Sequence, residues 1–337
     1  MIKIRTSGYR SRSITADVSL GIFDGLDNAL WCYAFATVIF AGVMAQFLPL
    51  LIVILLCGWA ALGIFVAVTS EKRVHIVSLD EQAVVILSSI AGLMVVYMGD
   101  ESIGTNGLAT MLVVMSLSAL GVAFFFWVIG HYRLTRLLEL MPYPVICGFM
   151  AGIGWLLLEA GVGIAVNEPI SMGLIDGLKD TENVSKLLLF LAGAIVLLLA
   201  VTTIQRAWAL PIASLGLVIA FYAASVVKGY SMQELIEQGW LFDIPTDTGG
   251  ALGLIKTLSF SQVDTSFVVS VVPQILTIAF LALLTQSMSL SAMMASGTQD
   301  LDTSSEIEDM GVGNVLNAAI ASPPGSTDVI ASTLYEQ

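Results

Sequence analysis

Apolar runs long enough to cross a bilayer follow one another along almost the whole chain, and this decides most of what the chain can fold into. A helix needs about 20 apolar residues to cross the hydrocarbon core. Such runs stand at about residues 20–42, 47–68, 79–98, 108–129, 144–165, 187–204, 207–227, 267–290 and 304–321, and a tenth begins near 326, before the chain ends at Gln337. Of the 337 residues 57% are hydrophobic and only 12% charged, where a soluble domain carries roughly 25% charged residues. That leaves too little polarity to cover a water-facing surface. The sequence therefore predicts an all-α polytopic membrane protein whose first partner is the lipid bilayer.

The net charge of −13 comes mostly from acids in the loops between these runs, and nucleic acid is not an expected partner. Cys32, Cys57 and Cys147 stand singly in apolar stretches without CxxC spacing and are expected to be buried structural thiols. There are two histidines, His75 and His131, and no HExxH, GxGxxG, P-loop or GxSxG motif. No metal, no cofactor and no enzymatic activity are expected from such a chain.

Basic residues set the orientation. With the N-terminus inside, Lys3, Arg5, Arg10, Arg12, Lys72, Arg73, Arg133, Arg136 and Arg206 fall on the cytoplasmic side, against Lys179, Lys186, Lys228 and Lys256 outside. A multi-pass protein of the bacterial inner or plasma membrane with a cytoplasmic N-terminus is the expectation. Trp31, Trp59, Trp127, Trp155, Trp208 and Trp240 stand in part near span ends, as interfacial anchors would. Gly148 and Gly152 form a small-xxx-small face suited to close helix packing. Residues 231–238 read as a short amphipathic surface helix.

Two places break the helical pattern alike. The β-branched stretch Val74–Ser78 leads into the run from Leu79, and Ala318–Gly325, with its Pro323-Pro324 pair, leads into the run from Ser326. Each reads as an extended strand feeding a helix that starts inside the membrane. Non-helical backbone at that depth is tolerated only where protein or a wet cavity satisfies it, and paired interruptions point to the central site of a transporter. An offset of about 248 residues carries Asp17 close to Asp264 and Asp80 onto Asp328. Seven spans per unit is odd, so a second copy would be inverted. The expected divisions are a cytoplasmic segment at 1–15, a first seven-span repeat at 16–228, an extracytoplasmic loop at 229–262, and the start of a second repeat, spans 8–10, at 263–337.

Several short motifs carry a family resemblance. Met141-Pro142-Tyr143-Pro144-Val145-Ile146-Cys147-Gly148-Phe149 looks like the PYPVxxGF entry to span 5 of the SulP family of anion transporters, and Glu306–Asn314 is similar to its ELxxxGxxN element at span 9. Asp17 with Gly21 resembles its DxxAG start of span 1, and Gly239-Trp240-Leu241-Phe242 fits its loop before span 8. The resemblance implies a fourteen-span fold of two inverted repeats, with a core and a gate domain and a cytoplasmic STAS domain after the last span. It further implies a substrate held between the facing N-termini of half-helices 3 and 10. Spans 11–14 and STAS are absent from these 337 residues, so a longer protein or a partner chain is expected, pairing as a homodimer when complete. Three departures stand out. Leu79-Asp80 replaces the family's Gly-Pro before helix 3, Gln286, followed by Ser287, replaces the acid of span 8, and Asp24 and Asp27 replace the span-1 proline near Leu30.

Free N–H groups at half-helix starts favour an anion such as sulfate or bicarbonate, with Ser326 and Thr327 as added donors. The acids work against that. Asp24 and Asp27, three apart, share a helix face, Asp80 and Glu81 open helix 3, and Asp328 opens helix 10. A carboxylate at mid-bilayer costs about 2.5–3.5 kcal/mol, so Asp24, Asp27, Asp80 and Glu81 turned to lipid would cost on the order of 10 kcal/mol. They are expected to face a polar interior. Simpler roles compete: Ser78 with Glu81 fits a capping box, and Asp328 complements a helix dipole. The expected substrate- or ion-binding residues are Asp24, Asp27, Ser78, Asp80, Glu81, Gln82, Gln286, Ser326, Thr327 and Asp328. Three functions fit. A secondary transporter could move a small inorganic anion by alternating access, with H⁺ or another coupling ion. A proton-coupled carrier could instead take a cationic solute such as a basic amino acid. The third is a non-transporting membrane scaffold or sensor.

Overall fold

The computed structural model describes residues 14–70, 75–99, 104–134, 143–166, 181–204, 209–241, 253, 258–296, 302–329 and 331–332. The helices are α1 (Ile14–Ile39), α2 (Leu48–Thr69), α3 (Glu81–Met98), α4 (Gly104–His131), α5 (Tyr143–Val166), α6 (Thr181–Ile204), α7 (Ala209–Lys228), α8 (Met232–Glu237), α9 (Thr265–Ser270), α10 (Val272–Ser296) and α11 (Thr303–Ile320). Two short strands, β1 (Val77–Leu79) and β2 (Gly325–Thr327), complete the described elements. Among the described residues five helices are long and apolar enough to cross a membrane. The protein is an all-α membrane bundle.

Local chemistry explains where the elements stop. A 3₁₀ turn at Gly42–Phe47 joins α1 to α2, which has its proline in the first turn, where the missing N–H costs nothing. The expected span at 267–290 is instead divided: Asp264 caps α9 by accepting from Phe267 N, and the chain turns at Val271 before α10. Pro273 is the reason, because it has no N–H to carry the α9 ladder onward. The expected surface helix is α8, closed by a Ser231/Glu234 capping box. The hydrogen bonds from Ser231 hold the Glu234 carboxyl below its ordinary range.

The second expected strand is displaced. Ala318–Ile320 belong to α11, which ends where Ala321 takes a left-handed conformation (φ 59°). Pro323 and Pro324 follow without N–H groups to offer a ladder, and β2 starts only at Gly325.

The described chain forms two compact units, one from Asn28–Ile153 with Asp247–Gln337 and the other from Ile14–Asp27 with Gly154–Thr246. This division follows compactness rather than the seven-span repeat. In the first unit α4 packs along both α11 and α10, and α11 also lies against α2. The α4–α11 crossing is backbone against backbone. A Cβ on Gly130 would stand 2.6 Å from Glu308 N, and one on Gly311 2.8 Å from Trp127 N. The close packing expected at Gly148 and Gly152 is not found among the described residues: both glycines are exposed, with no described atom within 4 Å of an added Cβ. Cys32 is buried as expected, but Cys57 and Cys147 are exposed. A bilayer helix is apolar on its outward face too, so apolar surroundings in sequence do not distinguish interior from surface.

In the second unit α6 packs on α7. Lys186 donates to Gln238 O (2.6 Å) and lies 5.8 Å from the centre of the Trp240 ring.

Candidate functional site

The site grows from the pairing of β1 with β2. The strands are antiparallel, with Val77 opposite Thr327, Ser78 opposite Ser326 and Leu79 opposite Gly325. The ladder runs one residue further at each end: Asp80 N donates to Pro324 O (2.8 Å) and Asp328 N to Ile76 O (3.0 Å). That spacing makes Ser78–Ser326 the central hydrogen-bonded pair. The two interruptions thus meet, with a helix leaving each strand. Gly325 is required here, since a Cβ would fall 2.9 Å from Ser78 O and into Leu62.

A two-stranded sheet has two open edges, which lipid cannot satisfy. Here side chains close them. Trp59 Nε1 donates to Val77 O (3.0 Å), so this tryptophan is a strand clamp and not the interfacial anchor expected of it. Asn314 serves both groups of Gly325, accepting from its N–H (2.8 Å) and donating to its carbonyl (3.0 Å). Gln286 accepts from Thr327 N (2.8 Å) and donates to Thr327 Oγ1 (2.8 Å). Asn317 Nδ2 holds Pro323 O (3.0 Å). The span-8 glutamine and the span-9 asparagine therefore hold one strand in place.

Each strand hands over to its helix through an aspartate. Asp80 Oδ1 accepts from Ala83 N (2.9 Å), and Asp328 Oδ1 accepts from Ala331 N (2.8 Å). The expected Ser78/Glu81 capping box is not formed. Asp80 is the N-cap of α3, because Ser78 is held two residues earlier in the strand pair. Glu81 is exposed, Ser326 and Thr327 are buried, and Asp328 is half-buried. Asp80 is 2% exposed, and its second oxygen, Oδ2, has no hydrogen-bond partner. Gln82 is buried with its Nε2 on Thr285 Oγ1 and its Oε1 likewise unpartnered. Both orphans are acceptors. Asp24 and Asp27 are half-buried on α1, in the second unit.

Behind β2 lies a polar chain that sequence reasoning missed. His75 Nε2 is 2.8 Å from Thr327 Oγ1, and its Nδ1 is 2.8 Å from Ser70 Oγ and 3.2 Å from Glu306 Oε2. Ser70 Oγ donates to the same Glu306 oxygen (2.9 Å). The His75 and Glu306 side chains are each only 2% exposed. Glu306 carried a signal as the first residue of the span-9 motif, but nothing in the sequence joined it to His75.

Three likenesses to known proteins bear on this geometry. A family-wide sequence model described as the sulfate permease family matches residues 30–336. Among curated proteins, the vacuolar basic amino acid transporter VSB1 of Saccharomyces cerevisiae is 21% identical over 206 residues, which is 58% of this chain and 20% of VSB1. The chain thus spans about a fifth of the length of that relative. Among solved structures, the transmembrane domain of a cyanobacterium bicarbonate transporter, BicA, aligns with a TM-score of 0.64 at 16% identity, over 97% of this chain and 77% of BicA's.

Proposed function

The chain belongs to the sulfate permease family, and from that premise we propose that it is a transport unit working by alternating access around the β1–β2 pair, with a small cationic solute as its substrate. The observation that carries the sign of the charge is the state of the two helix starts. An anion would bind there to free N–H groups, but at both starts the protein's own carboxylate accepts an N–H, Asp80 from Ala83 and Asp328 from Ala331. Among the buried side-chain atoms at the start of α3, the unpartnered ones are acceptors, Asp80 Oδ2 and Gln82 Oε1. A buried unpaired acceptor costs about 1–3 kcal/mol, and an ammonium or guanidinium group supplies the missing donors with matching charge. The likeness to a basic amino acid transporter supports the same substrate class.

The second reading is a small inorganic anion, supported by the family's name and by the likeness to BicA, a bicarbonate transporter. It requires the acids at the crossing to be protonated while the anion is bound. Uptake of radiolabelled arginine, sulfate and bicarbonate by the complete protein in proteoliposomes separates the two. Arginine uptake that Asp80→Asn abolishes is the expected result. Sulfate or bicarbonate uptake without arginine uptake overturns the cationic reading, and no uptake of any of the three overturns the transporter.

A further inference from the structure

We infer that His75 is the binding site of a coupling proton, taken up at Nε2 and read out through the hydroxyl of Thr327. This rests on the transporter reading above and adds a site to it.

The hydrogen-bond polarity can be followed from both ends. On one side Ser70 has a single hydroxyl hydrogen, which it gives to Glu306 Oε2. Its contact with His75 Nδ1 at 2.8 Å is then an N–H donated by the imidazole. Nδ1 therefore keeps its hydrogen, with the Glu306 carboxylate 3.2 Å away to orient the ring. On the other side Thr327 N needs an acceptor, which fixes the Gln286 oxygen towards it and leaves the Gln286 N–H₂ as donor to Thr327 Oγ1. Thr327 Oγ1 has one lone pair so filled, one left, and one hydrogen to give.

The 2.8 Å contact between His75 Nε2 and Thr327 Oγ1 works in two ways. With His75 neutral, Nε2 is an acceptor and Thr327 donates to it. When one proton arrives at Nε2, the nitrogen becomes a donor, the remaining lone pair of Thr327 accepts, and the threonine hydrogen turns to another partner. Thr327 is the last residue of β2 and Asp328 opens the helix that follows, so the change is delivered at the crossing. The charge gained is placed beside a buried carboxylate, which offsets the cost of burying a cation.

Among the described residues, the titratable groups on the elements around His75 are acidic. Glu306, with Asp309 and Glu308 in the next turn, comes from α11, Asp80 precedes α3 and Asp328 follows β2. Neither α2 nor α10 carries a charged side chain. Lys72 and Arg73, just before His75 in the chain, lie outside the described residues.

Two measurements test the assignment. The first needs no transport. The chain has two histidines, so ¹⁵N-histidine labelling of the protein and of His131→Gln in nanodiscs assigns the His75 resonances. A protonated Nδ1 at every pH with Nε2 gaining its proton on acidification is expected, and Ser70→Ala combined with Glu306→Ala, which removes both acceptors of the Nδ1 hydrogen, should release the tautomer preference. A bare Nδ1, or an Nε2 that never changes, overturns the proposal. The second compares arginine accumulation driven by a pH gradient with arginine–arginine exchange at equal pH in proteoliposomes. His75→Gln should lose the gradient-driven accumulation and keep the exchange; unchanged gradient dependence overturns the assignment. Wild-type protein that moves no arginine defeats the cationic reading instead, and the ¹⁵N experiment still decides the proton site.

Discussion

The two arms of the crossing have the same backbone and different support. In each, a three-residue strand ends in an aspartate that caps the following helix from the same relative position, Asp80 on Ala83 and Asp328 on Ala331. Each aspartate also donates its N–H to the residue before the opposite strand. Yet β1 is held at its outer edge by the indole of Trp59, whereas β2 is held by two primary amides, Asn314 and Gln286. The offset that carries Asp80 onto Asp328 also sets Leu79 against Thr327. The two arms thus carry an apolar residue at this place in one and a hydroxyl in the other, and among the described residues it is the hydroxyl that meets His75. The equal geometry provides the scaffold, and the unequal side chains carry the specialisation.

Five substitutions would break or sharpen that comparison. The largest effect on stability is expected from Asn314→Leu, which strips both Gly325 groups of their partner. At about 1–3 kcal/mol for each unsatisfied buried group, thermal unfolding in detergent should show a loss of about 2–6 kcal/mol, and an unchanged midpoint would mean that β2 does not depend on this clamp. Next, Asp80→Asn should reduce arginine uptake by at least about 30-fold, since removing one partner of a buried charged contact costs about 2–5 kcal/mol. The matching change in the half-buried arm, Asp328→Asn, should cost tenfold or less, about 1.4 kcal/mol. Equal losses would show the arms to be functionally alike. Gln286→Leu leaves the Thr327 N–H unpaired and should destabilise by about 1–3 kcal/mol, with faster amide exchange at Thr327. Trp59→Phe keeps the ring and loses one hydrogen bond to β1, for about 1 kcal/mol in the same unfolding assay. A larger loss than for Asn314→Leu would reverse the ranking of the arms.

The spans were legible because a bilayer leaves few alternatives to long apolar helices, and the β-branched run before Leu79 marked one strand. What failed depended on contacts between distant residues. Ser78 and Glu81 satisfy the local rule for a capping box, but pairing with Ser326, 248 positions away, holds Ser78 in a strand and passes the cap to Asp80. Ala318–Ile320 were assigned to a strand, although α11 continues through them until the left-handed Ala321. Gly148 and Gly152 match a packing motif without a neighbour, while the close-approach glycines, Gly130 and Gly311, stand on separate helices where no single-helix pattern connects them. His75 was set aside for want of metal-ligand spacing, and its partner Glu306 is 231 positions away. Gln286 stood out by replacing an acid, but its role as the holder of Thr327 is visible only in three dimensions.

The reciprocal backbone bonds at the ends of the ladder have a mechanical consequence. Asp80 hangs from Pro324 and Asp328 from Ile76, so neither helix can be drawn outward without tugging on the approach to its counterpart. The start of α3 and the residues that follow Asp328 are yoked at their tips into one pivot. A solute grasped at either tip would turn both together, with no slack for one to move alone.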